Sequence, residues 1–226
     1  MHLSDLQLCL LTHAPDRSFK QYRPFLQQAI AGGVTSVQFR LKNASPKQQF
    51  RFAQPLRDFL ADHRIPLVIN DNLALCIALE AEGLHLGQQD THPLTARDAL
   101  SDSTWIGWSI ETLNQLTLAN ELSCLNYVAA SAIFPSSTKL NCTTYWGLAG
   151  LQHVVQLSRH PVVAIGGINS HNAADVLQKG ACGIAVIGAL HQADNPFEEA
   201  MILRAHSHLS PHATSRGLTA GSRSMN

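Results

Sequence analysis

Short apolar runs alternate along the chain with segments in which apolar residues return every three to four positions, the pattern of strands alternating with helices. The runs at residues 6–11, 36–39, 67–69, 84–86, 105–108, 127–130, 162–165 and 184–187 predict eight strands. Helical spacing follows each of them, over residues 22–31, 46–64, 73–81, 95–100, 113–122, 149–157, 172–179 and 196–206. The punctuation agrees with this reading. Gly32-Gly33, Gly83 and Gly180 stop helices, and Ser45-Pro46 supplies an N-cap followed by proline in the first turn. Strand–helix units repeated eight times predict one (β/α)₈ barrel across residues 1–206, with an open doubly wound sheet as the alternative. Residues 207–226, rich in Ser, His, Gly and Thr, predict a tail outside the domain.

Composition narrows what such a barrel does. Hydrophobic residues make up 45% and charged residues 14% of the 226, as expected of a cored globular protein. Formal net charge is zero, so the chain lacks the basic surplus of a nucleic-acid binder. No apolar run nears the ~20 residues of a membrane helix, and the start of the chain does not read as a leader peptide, so we expect a cytoplasmic protein. The five cysteines (Cys9, Cys76, Cys124, Cys142 and Cys182) have no metal-ligand spacing and mostly sit in apolar runs, which predicts buried thiols. Among the twelve histidines only His208 and His212 stand four apart, in the tail, and no zinc site is expected. Homo-oligomerisation is left open.

Polar residues collect where the strands end, the face on which barrel enzymes carry their sites. After strand two, alternation puts Gln38, Arg40 and Lys42 on one side and Phe39 and Leu41 on the other. Three converging donors suit a diphosphate, although they also suit an ordinary solvated strand end. Asp71 follows strand three and Asp90 follows strand four, so two carboxylates are expected about one Mg²⁺ apart. The competing reading makes Asp71 and Asn72 helix caps and Asp90 a turn residue. Ser109 ends strand five, and the loop at residues 131–147 holds Ser136-Ser137-Thr138-Lys139, hydroxyls and a cation suited to clamping phosphate. Gly166-Gly167 after strand seven and Ile187-Gly188 after strand eight predict a second phosphate site made by backbone N–H groups. No Ser-His-Asp or Cys-His arrangement stands out.

The ordered set Gln38-Phe39-Arg40-Leu41-Lys42, Ile69-Asn70-Asp71, residues 83–90, Ser109, Ser137-Thr138-Lys139 and Ile165-Gly166-Gly167-Ile168 resembles the thiamine-phosphate synthase family. The resemblance spans strands two to eight. It implies a (β/α)₈ transferase that joins a hydroxymethylpyrimidine diphosphate to a thiazole phosphate, carboxylated or not, and releases diphosphate. Carried over by position, Asp71 and Asp90 would hold Mg²⁺, and Arg40, Lys42 and Lys139 would neutralise the departing diphosphate. Gln38, Asn70 and Ser109 would orient the pyrimidine, within a substrate-binding segment that includes Phe39 and Leu41. Ser136, Ser137, Thr138, Gly167, Ile187 and Gly188 would surround the thiazole and its phosphate. Gly188 stands where the family usually has Ser, Ser131-Ala132 where it often has Gly-Pro, and Ser136 where it often has Thr. Two rivals stay in view: a thiazole tautomerase-like barrel without metal chemistry, and a non-catalytic barrel that binds thiamine phosphates.

Overall fold

Eight strands of four to six residues pair only with parallel neighbours in the computed structural model, which describes residues 2–13, 17–136 and 145–209. They are β1 (Leu8–Leu11), β2 (Ser36–Phe39), β3 (Leu67–Asn70), β4 (Gly83–Leu86), β5 (Trp105–Ile110), β6 (Tyr127–Ser131), β7 (Val162–Ile165) and β8 (Gly183–Val186). Their order is that of the chain, and β8 returns to β1 through Leu8↔Ile184 and Leu10↔Val186, so the sheet closes into a barrel. The open-sheet alternative is thereby excluded.

Helices α1 (Phe19–Ala31), α2 (Pro46–Asp62), α3 (Leu73–Leu79), α4 (Pro93–Ala99), α5 (Leu113–Glu121), α6 (Gly147–Leu157) and α7 (Ala173–Gln178) each follow a strand. A one-turn α8 (Gly188–His191) then precedes α9 (Pro196–Ala205). Local chemistry starts several of them. Ser45 accepts from the Gln48 N–H at 3.4 Å while Gln48 Oε1 accepts from the Ser45 N–H at 2.8 Å, a reciprocal cap ahead of Pro46. Thr112 and Gln115 repeat the device for α5.

Because both faces of a parallel sheet are covered, the strands are buried almost throughout and alternation decides which layer a residue enters. Leu8, Leu10, Val37, Phe39, Ile69, Leu84 and Leu86 face the helices. Cys9, Leu11, Tyr127, Val163 and Ala185 fill the barrel. Inside, the Tyr127 ring lies over Gly107, where a Cβ would fall 2.2 Å from Cζ. That glycine is what lets the aromatic ring cross the barrel.

Several boundaries depart from expectation for visible reasons. Residues 3–6 form a 3₁₀ turn rather than the start of β1, because the Thr35 hydroxyl takes the Leu8 N–H at 2.9 Å and Leu6 turns inward. Helix α3 stops at Leu79 on a left-handed Glu80, and Gly83 is already the first residue of β4. Helix α8 was not foreseen, since one turn carries no periodicity. The chain beyond 206 continues as a 3₁₀ turn through Leu209, with Ser207 buried, so the packed part runs past the expected boundary. Residues 210–226 lie outside the described set. Cys9, Cys76 and Cys182 are buried free thiols, with burial pushing the last two up to about 12; Cys142 is outside the described residues.

Gly107→Ala should force the Tyr127 ring out of its place. We expect a loss of about 1–3 kcal/mol in urea unfolding, accompanied by altered near-UV dichroism of the tyrosines.

Candidate active site

At the C-terminal ends of the strands the barrel opens into a cavity of about 660 Å³. Gln38, Arg40, Lys42, Asn70, Asp71, Asp90, Ser109, Ser136, Gly167, Ile187 and Gly188 all line it, so residues foreseen from seven separate strand ends converge on one space. Phe39 and Leu41 do not. The Phe39 ring stacks on Phe52 of α2 at 5.6 Å, and Leu41 packs into the same outer layer, so of the segment 38–42 only the alternate side chains reach the mouth. Ser137, Thr138 and Lys139 lie outside the described residues.

The β2 end is held by Thr12. Its N–H donates to the Gln38 carbonyl at 2.9 Å, and its hydroxyl accepts from the Arg40 N–H at 2.9 Å and donates to the Arg40 carbonyl at 3.1 Å. Parallel pairing is thus continued past the last ladder bond, and Arg40 is presented to the cavity on a fixed backbone. Burial pulls the Arg40 pKa below its ordinary value, and the charge of Asp71 pulls it back up.

Asp71 follows β3 in the left-handed region, φ 66°, with its N–H donating to the His85 carbonyl at 2.8 Å. A non-glycine residue there is strained by on the order of 1 kcal/mol. Asn72 does the capping of α3, accepting from the Leu75 N–H at 3.0 Å and donating to Gln49 Oε1 at 2.8 Å. The cap reading therefore holds for Asn72 and not for Asp71, whose carboxyl is left for the cavity. Asp90 fills its turn role and also faces Asp71. Its Oδ2 accepts from the Gly87 N–H at 2.7 Å, closing the turn after β4, and its carboxyl lies within hydrogen-bond reach of Asp71.

Two facing carboxyls cannot both ionise without cost. Burial, then the hydrogen bond and charge of Asp90, push Asp71 up to about 6, against the pull of Lys42 and Arg40. Asp71 therefore holds its proton more tightly than an ordinary carboxyl does. Two oxygen donors at that spacing, with cationic side chains beside them and open space in front, suit a hard divalent cation completed by phosphate and water. Among the described residues no group of three or more His, Cys, Asp or Glu forms a self-sufficient metal cage.

Two residues that sequence reasoning did not assign organise the floor. His85, buried, has Nε2 2.8 Å from the Ser109 hydroxyl and Nδ1 3.0 Å from the Tyr127 hydroxyl, with its ring stacked on Tyr127 at 5.5 Å. Tyr127 in turn hydrogen-bonds Gln38. A polar chain Gln38–Tyr127–His85–Ser109 thus crosses the barrel beneath the mouth. The available signal was alternation: His85 stands two before Gly87 and so points inward.

At the far side, Gly166 (φ 106°) and Gly167 (φ 65°) turn the chain after β7. A Cβ on Gly166 would meet Ala132 at 2.5 Å, and one on Gly167 the Pro135 carbonyl at 2.5 Å. Glycine is required here by the close approach of residues 132–135, in addition to any ligand. Ile133 and Phe134 extend the pairing by donating to the Ile165 and Gly166 carbonyls.

With this geometry in hand, comparison with known proteins is informative. Residues 8–190 match the family model described as thiamine monophosphate synthase. The thiamine-phosphate synthase of Chlamydia abortus is 40% identical over 198 residues, 88% of this chain and 93% of that one. The thiamine-phosphate synthase of Albidiferax ferrireducens is 40% identical over 204 residues, 90% and 93% of the two chains. Among solved structures, thiamine phosphate pyrophosphorylase from Pyrococcus furiosus superposes with a TM-score of 0.80 at 28% identity, covering 91% of this chain and 97% of that one. A 3-hexulose-6-phosphate synthase from Salmonella typhimurium, TM-score 0.69 at 13% identity, covering 89% and 98%, shares the fold alone.

The carboxyl pair yields a stability test. Asp71 binds its proton more tightly folded than unfolded, so ionising it costs stability; the cost is absent below about pH 4, grows as pH rises towards about 6, and then stays constant. In EDTA, Asp71→Asn should therefore exceed wild type by on the order of 1 kcal/mol near pH 8, after discounting for partial solvent exposure. Near pH 4 the gain should vanish. Urea unfolding at both pH values checks it, and a pH-independent difference would contradict the raised Asp71 pKa.

Proposed function

The chain belongs to the thiamine monophosphate synthase family and is a transferase that makes thiamine phosphate; we propose that it does so by joining 4-amino-2-methyl-5-(diphosphooxymethyl)pyrimidine to a thiazole phosphate, carboxylated or not, by dissociative substitution. The observation that carries this reading is the placement of Asp71 and Asp90 beside Arg40 and Lys42 in one cavity with a glycine-lined far end. One end suits a diphosphate and the other a monophosphate.

In this reading the bond from the pyrimidine methylene carbon to the diphosphate oxygen breaks first, and its electron pair leaves with diphosphate. The electron-rich aminopyrimidine bears the positive charge, and the thiazole nitrogen lone pair then forms the new C–N bond. No side chain acts as a nucleophile. Arg40 and Lys42, with Lys139, neutralise charge growing on the departing oxygens, the kind of preorganised stabilisation that dominates such steps. Asp71 and Asp90 would hold Mg²⁺, which supplies Lewis-acid stabilisation of the same oxygens when bound.

Gln38, Asn70 and Ser109 orient the pyrimidine. The His85–Ser109 hydrogen bond keeps that hydroxyl in one direction, and Tyr127 fixes the imidazole that holds it. Ser136, with Ser137 and Thr138, and the backbone of Gly167, Ile187 and Gly188 receive the thiazole and its phosphate. Alignment of the two reactants inside the barrel mouth provides the remaining rate. Among the described residues no helix is long and apolar enough to cross a membrane, in keeping with small phosphorylated substrates.

Product formation from the two precursors is the direct test. Wild type with Mg²⁺ should form thiamine phosphate and diphosphate, and EDTA should abolish turnover. Asp90→Ala should lower kcat/KM by at least about 100-fold. Binding of both precursors without Mg²⁺-dependent product would instead favour the non-catalytic barrel.

Gly188 permits a gain-of-contact test. A Cβ there would lie 3.6 Å from its nearest neighbour, the Gln192 side chain, so a small side chain fits. Gly188→Ser adds a hydroxyl at the phosphate end, and a hydrogen bond to an ionised group is worth roughly 1.5 kcal/mol. The KM for thiazole phosphate should fall about threefold to tenfold, with kcat little changed. Steady-state kinetics with the pyrimidine substrate saturating would show it.

A further inference from the structure

His191 closes the four-residue α8 and does not line the cavity, yet it makes more directed contacts than any residue around it that does. Its Nδ1 lies 2.8 Å from the Ile187 carbonyl oxygen. A carbonyl only accepts, so Nδ1 carries the proton, and in the neutral ring Nε2 is the acceptor. Two donors reach Nε2: the Tyr22 hydroxyl at 2.8 Å and the His13 N–H at 3.2 Å. The ring also stacks on Phe25 at 4.6 Å and on Tyr22 at 5.8 Å, both from α1. Burial, opposed by the Ile187 hydrogen bond, holds the imidazole pKa down at about 4, which keeps this tautomer through the neutral range. One side chain therefore ties together the start of the loop after β1, helix α1 and the turn from β8 into α8.

The turn it holds is unusual. Ile187 has φ −120° and ψ −75°, outside both the helical and the extended wells. Its carbonyl is gripped twice, by the His191 backbone N–H at 3.2 Å and by Nδ1–H. In a planar trans peptide the carbonyl of one residue and the N–H of the next point in opposite directions. Fixing the Ile187 carbonyl towards His191 thus fixes the Gly188 N–H away from it, and Gly188 lines the cavity while His191 does not.

We propose that His191 is a positioning residue for the phosphate end of the site: by holding the Ile187–Gly188 peptide it keeps the Gly188 N–H aimed at the phosphate of the thiazole substrate. The inference rests on the synthase reading for the identity of that substrate. It assigns to a half-buried imidazole, clamped from behind by Tyr22 and His13, control over one substrate and not the other.

The test uses the full-length chain with Mg²⁺ and three variants. His191→Phe keeps the ring stack and removes both nitrogens. His191→Asn keeps a short donor able to reach the Ile187 carbonyl. His191→Gln carries its amide past that carbonyl towards Tyr22. We expect His191→Phe to raise the KM for thiazole phosphate about tenfold, the worth of one well-placed donor to an anion, with kcat and the KM for the pyrimidine diphosphate within about twofold of wild type. His191→Asn should recover most of the loss and His191→Gln should not. An unchanged KM for thiazole phosphate in His191→Phe, equal rises for both substrates, or a Gln variant better than Asn would overturn the proposal. Should His191→Phe fail to fold, the Asn and Gln variants alone decide it by the same ordering.

Calorimetric binding of thiazole phosphate in the presence of Mg²⁺ and inorganic diphosphate separates this idea from the one beneath it. Wild type that binds thiazole phosphate but yields no product removes the catalytic reading. Kd across the variants then judges the positioning role, and the same ordering is required. Wild type that binds no thiazole phosphate overturns the positioning role as well.

Discussion

Two carboxyl groups held within hydrogen-bond reach at the ends of adjacent strands are an unfavourable arrangement unless something positive joins them. Asp71 and Asp90 are held so by features that leave them little choice. The parallel register sets Asn70 opposite His85, and the Asp71 N–H bonds the His85 carbonyl in a left-handed conformation. The Gly87 N–H fixes Asp90. Asn72 takes over the capping of α3 and frees its neighbour. Strain and repulsion at this spot are offset by the barrel around it, whose inner and outer layers are filled by separate sets of alternating side chains. Such a pair suits a divalent cation and the phosphate that brings it, which is the role we propose for it.

The rest of the mouth follows from that pair. Arg40 and Lys42 stand on the next strand, where their charge lowers the cost of ionising Asp71 and is available to a polyanion. Beneath them the chain from Gln38 through Tyr127 and His85 to Ser109 is polar but internally satisfied, so it can present a hydroxyl in one direction without needing solvent. Across the mouth the support is backbone: tight glycine turns against residues 132–135, and a β8–α8 turn braced by His191. In the reading we propose, one side of the site recognises its substrate with charge and the other with peptide geometry, as suits a reaction in which one phosphate group leaves and the other stays.

Much of this was legible in the residues alone. Strands β2 and β7 lie where their apolar runs put them, because fully buried parallel strands carry little other signal. The pairing of Gln38, Arg40 and Lys42 on one face came directly from alternation. What stayed hidden depended on contacts distant in sequence. That Phe39 turns away from the site follows from alternation, but its stacking on Phe52 of α2 does not. His85 gains its role only through Tyr127 and Ser109, 42 and 24 residues further along the chain. Helix α8 is too short for periodicity, and His191 matters through α1, 169 positions earlier at Tyr22. Spacing along a chain reveals which face a residue takes; it does not reveal which partner waits there.

Proton release is the measurement closest to the centre of this picture. If a cation bound between the carboxyls displaces the proton that Asp71 holds, adding Mg²⁺ and inorganic diphosphate near pH 6 should release more protons from wild type than from Asp71→Asn. Calorimetry in two buffers of different ionisation enthalpy gives that difference directly. We expect an excess of about half a proton per chain, the share Asp71 carries when the pH equals its pKa, shrinking as the pH is raised towards about 8. Equal release from the two proteins, or diphosphate binding indifferent to Mg²⁺, would contradict the carboxyl pair as the seat of the metal.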